Sequence, residues 1–151
     1  MNIFARLIYK SNRLLWKIFK PTTIGVRVIL IKDNKVLLVK HTYHESWYLP
    51  GGRVNKGETL EQGIRREVQE ELGVELNELA LHGVYNSFSE FKNDHIVIFY
   101  CREFSLTGKT DSEIEQYEFF DLNHLLDKIS PATKRRIEEF AAGKTGNYGM
   151  W

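Results

Sequence analysis

The sequence predicts an α/β protein: an α/β/α sandwich on a mixed β-sheet, with an amphipathic helix in front of it. Three observations carry this expectation. A chain of 151 residues can hide roughly two-thirds of its unfolded surface within one domain. Its hydrophobic fraction of 42% and charged fraction of 27%, with only three prolines, are those of a globular chain rather than a disordered one. Short β-branched runs bounded by turn residues are interspersed with stretches of helical period, and no internal repeat is visible, as expected for a mixed sheet covered by helices.

The elements follow in order. In residues 1–20, Phe4, Leu7, Ile8, Leu14, Leu15 and Ile18 recur at three- and four-residue steps, with five bases on another face, which predicts an amphipathic helix ended by Pro21. Strands are expected over 24–31 and 35–40, joined at Asp33-Asn34 as a hairpin, and over 47–49, stopped by Pro50-Gly51-Gly52. Residues 59–72 have helical spacing, with Gly73 placed to cap the C-terminus. Further strands are expected over 79–87 and 95–104, around a turn at Lys92-Asn93-Asp94, and over 117–120. Two short helices, near 121–127 and 131–141, should follow, while 143–151 carries no firm signal. The domain proper is therefore 21–151, with 1–20 as a separate basic helix.

Charge and cysteine use exclude several classes. Of the 21 Lys and Arg, Arg6, Lys10, Arg13, Lys17 and Lys20 lie in the first twenty residues, leaving 16 bases against 20 acids, a net of −4. A mildly acidic body lacks the broad positive face of a duplex nucleic-acid binder. Cys101 is the single cysteine, so no intramolecular disulfide forms and a cytoplasmic setting is expected; in an apolar strand it reads as a small buried side chain. No stretch reaches the ~20 apolar residues of a membrane span. The basic helix could instead lie on an anionic membrane surface, or dock on the core or on a second subunit of a homodimer, and docking is the preferred reading. The histidines at 41, 44, 82, 95 and 124 have no metal-ligand spacing and read as structural or surface residues.

The chemistry is concentrated between Gly52 and Val74. The chain reads Gly52, five residues, Glu58, seven residues, then Arg66-Glu67-Val68-Gln69-Glu70-Glu71-Leu72-Gly73-Val74. Chance would produce this pattern in such a chain with a probability on the order of one in ten million. It resembles the Nudix box at every defining position, without gaps. The residues explain the pattern in their own terms. At about 100° per residue, Glu67 and Glu71 sit one above the other, and Glu70 lies on the adjoining flank. With Leu60, Ile64, Val68 and Leu72 as the apolar stripe, Glu67 and Glu71 fall about 20° either side of Leu60, facing inward. Like charges in that position make sense if hard divalent cations bind between them, and the missing side chain of Gly63 would leave room for a metal and phosphates.

The resemblance implies a magnesium- or manganese-dependent hydrolase that cuts a diphosphate bond in a nucleotide-type small molecule, such as a nucleotide sugar, ADP-ribose or a nucleoside triphosphate. It implies Glu67, Glu70 and Glu71 as metal ligands and catalytic residues, with the Gly52 carbonyl completing the metal shell. Glu58 and Arg66 would pair to fix the loop onto the helix, as a carboxylate and a guanidinium suit a bidentate link. By the same resemblance the metals would bridge phosphate oxygens and acidify the attacking water. The base that takes the water's proton is open between Glu70 and the acids Glu113, Glu115 and Glu118, with Glu113 preferred among the last three. Arg53, Lys56 and Tyr48 are candidate substrate contacts. Among the aromatics, Tyr43, His44, Trp47, Tyr85, Phe88 and Phe91 could also meet a base or sugar, or serve as core. The alternative from another class is a nucleotide-binding or regulatory module that keeps the fold without turnover; three intact box glutamates argue against it.

Overall fold

A two-residue hairpin opens the described chain. Strand β1 (Thr22–Lys32) turns into β2 (Lys35–His41) through Asp33 and Asn34, at φ values of 50° and 59°. Left-handed values at both central residues match the twist of paired strands, and Asp and Asn adopt them at least cost. The computed structural model describes residues 21–89 and 92–151; the expected helix of 1–20, and Phe91, lie outside the described residues.

The remaining elements are β3 (Trp47–Tyr48), α1 (Leu60–Leu72), β4 (Val74–Leu76), β5 (Ala80–Ser87), β6 (Asn93–Cys101), β7 (Phe104–Leu106), β8 (Ile114–Asp121), α2 (Pro131–Ala141) and β9 (Asn147–Met150). The main sheet runs β3-β2-β1-β6-β5-β9, with β8 on the other edge of β2. It is mixed: β1 and β6 run parallel, as do β5 and β9. Strand alternation divides the core. Val26, Val28 and Leu30 of β1 face α1 with Leu37, Val39 and Val97, whereas Ile29 and Ile31 face α2 with Leu38, Ile98 and Ile137.

One irregularity positions everything that follows. β1 and β2 pair only from Leu30↔Leu37 to Lys32↔Lys35, and then part. β2 continues against β3 at Val39↔Tyr48 and Lys40↔Trp47. The edge of β1 left open is closed by the next segment of chain: Val28 N–H donates to the Pro50 carbonyl at 3.1 Å, Val26 N–H to Gly52 at 2.8 Å, and Val54 N–H returns to Ile24 at 2.9 Å. A buried amide left unpaired would cost on the order of 1–3 kcal/mol, so the glycine-rich loop is bound into the sheet like a short strand.

Helix α1 begins and ends as its sequence requires. Thr59 and Gln62 form a reciprocal capping box, Gln62 N–H donating to Thr59 Oγ1 at 3.1 Å and Thr59 N–H to Gln62 Oε1 at 2.9 Å. Gly73 ends the helix at φ 62° and ψ 37°, its N–H donating to the Gln69 carbonyl at 2.9 Å. The chain then enters β4, which pairs with β7 in a separate two-stranded sheet that packs Val74 and Leu76 on the α1 side of the core.

Four expectations differ from the structure. Residues 121–127 form turns and not a helix, because Asp121 takes the Asn123 N–H on its side chain at 2.8 Å and the His124 N–H on its carbonyl at 3.1 Å, a local bonding habit that competes with helix. The expected strand 95–104 is two strands, broken at Arg102 and Glu103 as the chain leaves the main sheet for β7. Asn93 and Asp94 belong to β6 rather than to a turn, because they pair with Thr22 and Thr23 of β1. The unassigned tail forms β9, pairing with β5 from Gly83↔Asn147 to Asn86↔Met150.

Gly73→Ala is expected to lower stability by about 1–2 kcal/mol in urea unfolding, because a left-handed residue with a Cβ costs that much and the added carbon would lie 1.9 Å from Thr107 Oγ1. An unchanged unfolding midpoint would show that the cap is not a constraint on the fold.

Candidate active site

Where β1 and β2 part, a cavity of about 470 Å³ opens between the glycine loop, α1 and the loop before β8. One wall is helix α1. Glu71, only 6% exposed, turns its carboxylate toward the loop and accepts the Gly51 N–H at 2.8 Å. Gly51 has φ 126°, and a Cβ there would stand 2.3 Å from the Val26 carbonyl, so no other residue can hold this path. Burial pushes the Glu71 carboxyl up to about 8; repulsion from Glu67 adds to this, while the Gly51 hydrogen bond and Arg27 oppose it. Glu67 lies against Gly52, where a Cβ would fall 2.2 Å from Glu67 Oε2. Glu70 sits at the mouth with its side chain 58% exposed.

Arg66 governs how much of this charge is neutralised. Its Nε and Nη2 hold Glu58 at 2.6 and 2.9 Å, Nη2 also donates to the Arg53 carbonyl at 3.0 Å, and Nη1 reaches Glu67 at 2.8 Å and Glu70 at 3.2 Å. The guanidinium thus ties the loop to the helix from both sides. Hydrogen bonds from Arg66, and then from the Asn55 backbone, hold Glu58 down at about 2, and Glu58 holds Arg66 still more firmly protonated. Arg66 does not reach Glu71, which has no ion pair among the described residues.

The opposite side is aromatic. His41 at the end of β2 stacks on Tyr43 with centroids 5.2 Å apart and planes 22° apart. Tyr43 meets His44 at 4.9 Å, and His44 meets Tyr48 at 5.2 Å. Burial, then Arg27 and His44, pushes His41 down to about 4, so the ring is neutral at ordinary pH. Burial, then Glu113 and Glu71, pushes the Tyr43 hydroxyl up to about 12. Asp111 and Glu113 complete the rim, and burial beside Asp111 and Glu67 raises the Glu113 carboxyl.

The expected site residues therefore separate. Glu67, Glu70, Glu71, Gly52, Arg53, Tyr48 and Glu113 line one cavity with Tyr43 and His44. Of the other two loop acids, Glu115 is ion-paired with Lys40 at 3.1 Å and Glu118 lines a different groove beside Trp47. Lys56 is exposed and off the cavity, because the tight turn from Asn55 to Glu58, with Gly57 at φ 89°, carries it to the tip of the loop. Trp47 packs on Phe120, and Tyr85 donates to Glu139, both on the α2 side. Phe88 is 63% exposed and lines none of the cavity. Leu60, in the apolar stripe of the helical period, is 37% exposed, whereas Gly63, Ile64, Val68, Glu71 and Leu72 are buried. The open side of Gly63 faces Val54 and Glu58 and not a metal space: a Cβ would meet them at 3.3 and 3.6 Å.

Three residues of the site went unread in the sequence. Arg27 carries a lone charge inside a β-branched run, His41 has no metal-ligand spacing to mark it, and Asp111 lies just ahead of the acidic segment 112–118. The Gly52 carbonyl, expected in the metal shell, accepts Val26 N–H at 2.8 Å and Arg27 Nη1 at 2.9 Å. The carboxylates are held apart on Arg66 and Gly51 N–H, and among the described residues no three acidic, histidine or cysteine side chains are gathered closely enough to hold an ion. The donor set nonetheless suits a hard divalent cation: two adjacent carboxylates, one of them buried with a single N–H partner and raised in pKa, need positive charge to ionise together.

Comparisons with known proteins place the chain in a family. The NUDIX domain pattern matches residues 21–140. An ADP-ribose pyrophosphatase of Methanocaldococcus jannaschii is 30% identical over 156 residues, covering 97% of this chain and 92% of that protein. The MutT protein structure from Methanosarcina mazei Go1 superimposes with a TM-score of 0.69 at 26% identity, over 82% of this chain and 96% of that one. The MutT Nudix hydrolase of Burkholderia pseudomallei gives 0.70 at 25% identity, over 78% and 96%. With a box complete in sequence, its glutamates on one cavity wall and the domain pattern spanning most of the chain, this protein belongs to the Nudix hydrolase family.

Proposed function

We propose that the protein hydrolyses the diphosphate bond of a nucleoside-diphosphate-linked small molecule, with ADP-ribose the first compound to test, using magnesium or manganese. The observation that carries this reading is Glu71: a carboxylate 6% exposed, facing a cavity beside a second carboxylate and, among the described residues, in no ion pair. Such a group is unfavourable unless it is protonated or meets a cation. The similarity to the ADP-ribose pyrophosphatase of M. jannaschii supports the choice of substrate.

Glu67 and Glu71, with Glu70 at the mouth, would hold the cations. When bound, these neutralise charge on the phosphate oxygens and make a neighbouring water a stronger acid. The chain does the rest. The attacking water's oxygen forms a bond to one phosphorus, the bridging phosphorus–oxygen bond breaks, and the water's proton passes to a carboxylate. Glu113 suits that task, because burial and Asp111 raise its pKa toward the working pH of a general base. Glu70 is the other acceptor within the cavity. Tyr43, on its neutral His41 support, offers a ring face to the base of the nucleoside. The Glu58–Arg66 link keeps the glycine loop at fixed distance from the helix, and small displacements at such a site are costly in rate.

Incubation with ADP-ribose, nucleotide sugars and nucleoside triphosphates plus magnesium should give products of diphosphate cleavage from at least one of them, identified by mass. Binding without any cleavage would replace the hydrolase by a nucleotide-binding module. Glu67→Gln and Glu71→Gln are each expected to lower turnover at least 100-fold on the best substrate; near-normal rates in both would remove the mechanism.

Stability should follow pH in a direction fixed by Glu71. In chelator, the folded protein keeps this carboxyl protonated up to about 8, while the unfolded chain releases the proton near 4.5. The contribution is therefore present below about 4.5 and is lost as pH rises toward about 8. Melting temperature in chelator should fall across that window, Glu71→Gln should flatten the fall, and magnesium should raise the melting temperature more at pH 8 than at pH 5. A fall that persists unchanged in Glu71→Gln would assign the pH dependence to other groups.

A further inference from the structure

Arg27 stands between two cavities, and the established motif assigns it nothing. It lines the carboxylate cavity, and also a second cavity of about 240 Å³ lined by Thr23, Gly52, Arg53, Lys92 and Asp94. The two spaces share Arg27, Gly52 and Arg53. Their charges differ in sign. The first is dominated by Glu67, Glu70, Glu71, Asp111 and Glu113. Among the described residues the second is lined by Arg27, Arg53 and Lys92 and by one acid, Asp94, which accepts the Thr23 hydroxyl at 2.7 Å. Its floor is Gly25, where a Cβ would lie 3.8 Å from Arg27 Nη1 and 3.9 Å from Asp94, so the absent side chain leaves that floor open.

The bonding of Arg27 is that of a group with capacity left. One guanidinium nitrogen, Nη1, donates to the Val26 and Gly52 carbonyls at 2.8 and 2.9 Å. Among the described residues Arg27 forms no ion pair, although its charge is felt by Glu71, His41 and Tyr43. A purely structural role is weak, since the Gly52 carbonyl keeps the Val26 N–H without it. A half-buried guanidinium whose Nε and Nη2 have no hydrogen bond among the described residues, beside the ridge where the glutamates meet the loop, is suited to bidentate contact with phosphate oxygens.

We propose that Arg27 grips the diphosphate of the substrate, and that the phosphate chain crosses the Gly52 ridge so that its distal phosphate enters the cavity of Arg53 and Lys92. This rests on the hydrolase reading and adds a direction to it: the nucleoside lies on the aromatic side, and the second phosphate lies away from the carboxylates that would repel it. A distal phosphate could belong to a nucleotide sugar, ADP-ribose or a nucleoside polyphosphate, and the shared chemistry is the phosphate itself.

The test is binding of α,β-methylene-ADP and of AMP in magnesium, by calorimetry, together with the magnesium-induced rise in melting temperature. Arg27→Ala should weaken α,β-methylene-ADP at least tenfold and leave the magnesium-induced rise unchanged. Arg27→Lys, which keeps the charge without the fork, should weaken it at least threefold. Arg53→Ala should weaken α,β-methylene-ADP more than AMP. Wild-type affinity in both Arg27 variants overturns the proposal, and so does loss of the magnesium response in Arg27→Ala, which would mark Arg27 as a support of the ridge. Equal loss of the two nucleotides in Arg53→Ala overturns the path of the distal phosphate. In each case diphosphate cleavage by the wild type leaves the hydrolase reading intact, whereas absence of any cleavage by the wild type removes that reading instead.

Discussion

The parting of β1 from β2 after a short stretch of pairing is the constraint on which the site depends. A parted strand edge inside a protein leaves amides that must find acceptors, and here the carbonyls of Pro50 and Gly52 supply them. That requirement seats the glycine loop in the sheet, with the Gly51 N–H facing Glu71 and the Gly52 backbone under Glu67. Arg27, His41 and Tyr48 line the cavity that opens at this fork. The loop is rigid because it completes a sheet, and a loop so held can set oxygen positions closely.

Two opposed electrostatic choices are built onto that frame. Glu58 draws Arg66 to the outer side of the helix, where it shares its charge with Glu67 and Glu70. Glu71 is left with one backbone hydrogen bond in a buried position. Had Arg66 reached inward, the buried carboxylate would be neutralised and the cavity would have little call for a cation. The folded state carries instead an unfavourable group whose cost the proposed cation would relieve, a distribution in which local stability would be given up where chemistry is done.

Much of this was legible in the sequence because it is local. The hairpin at Asp33-Asn34 and the helix end at Gly73 each depend on residues within a few positions of one another. The inward aspect of Glu67 and Glu71 follows from helical period, although Leu60 in the first turn escapes burial. What was not legible is set by partners distant in the chain. β9 exists because β5 offers an edge, and β4 pairs with β7 thirty residues later. Arg27 and Asp111 join the cavity only once β1 and the loop before β8 are brought to the same fork. Gly63 illustrates the reverse error: a small residue near the glutamates suggested space for a ligand, but the neighbour that needs the space is Val54.

The most direct test of the account is the position of a divalent ion in the folded protein. Crystals soaked in manganese and examined by anomalous scattering should show an ion between the carboxylates of Glu67 and Glu71, with Glu67 turned off Arg66 to meet it. Anomalous density elsewhere on the surface, with Glu71 still bonded only to the Gly51 amide and Glu67 still on Arg66, would contradict it.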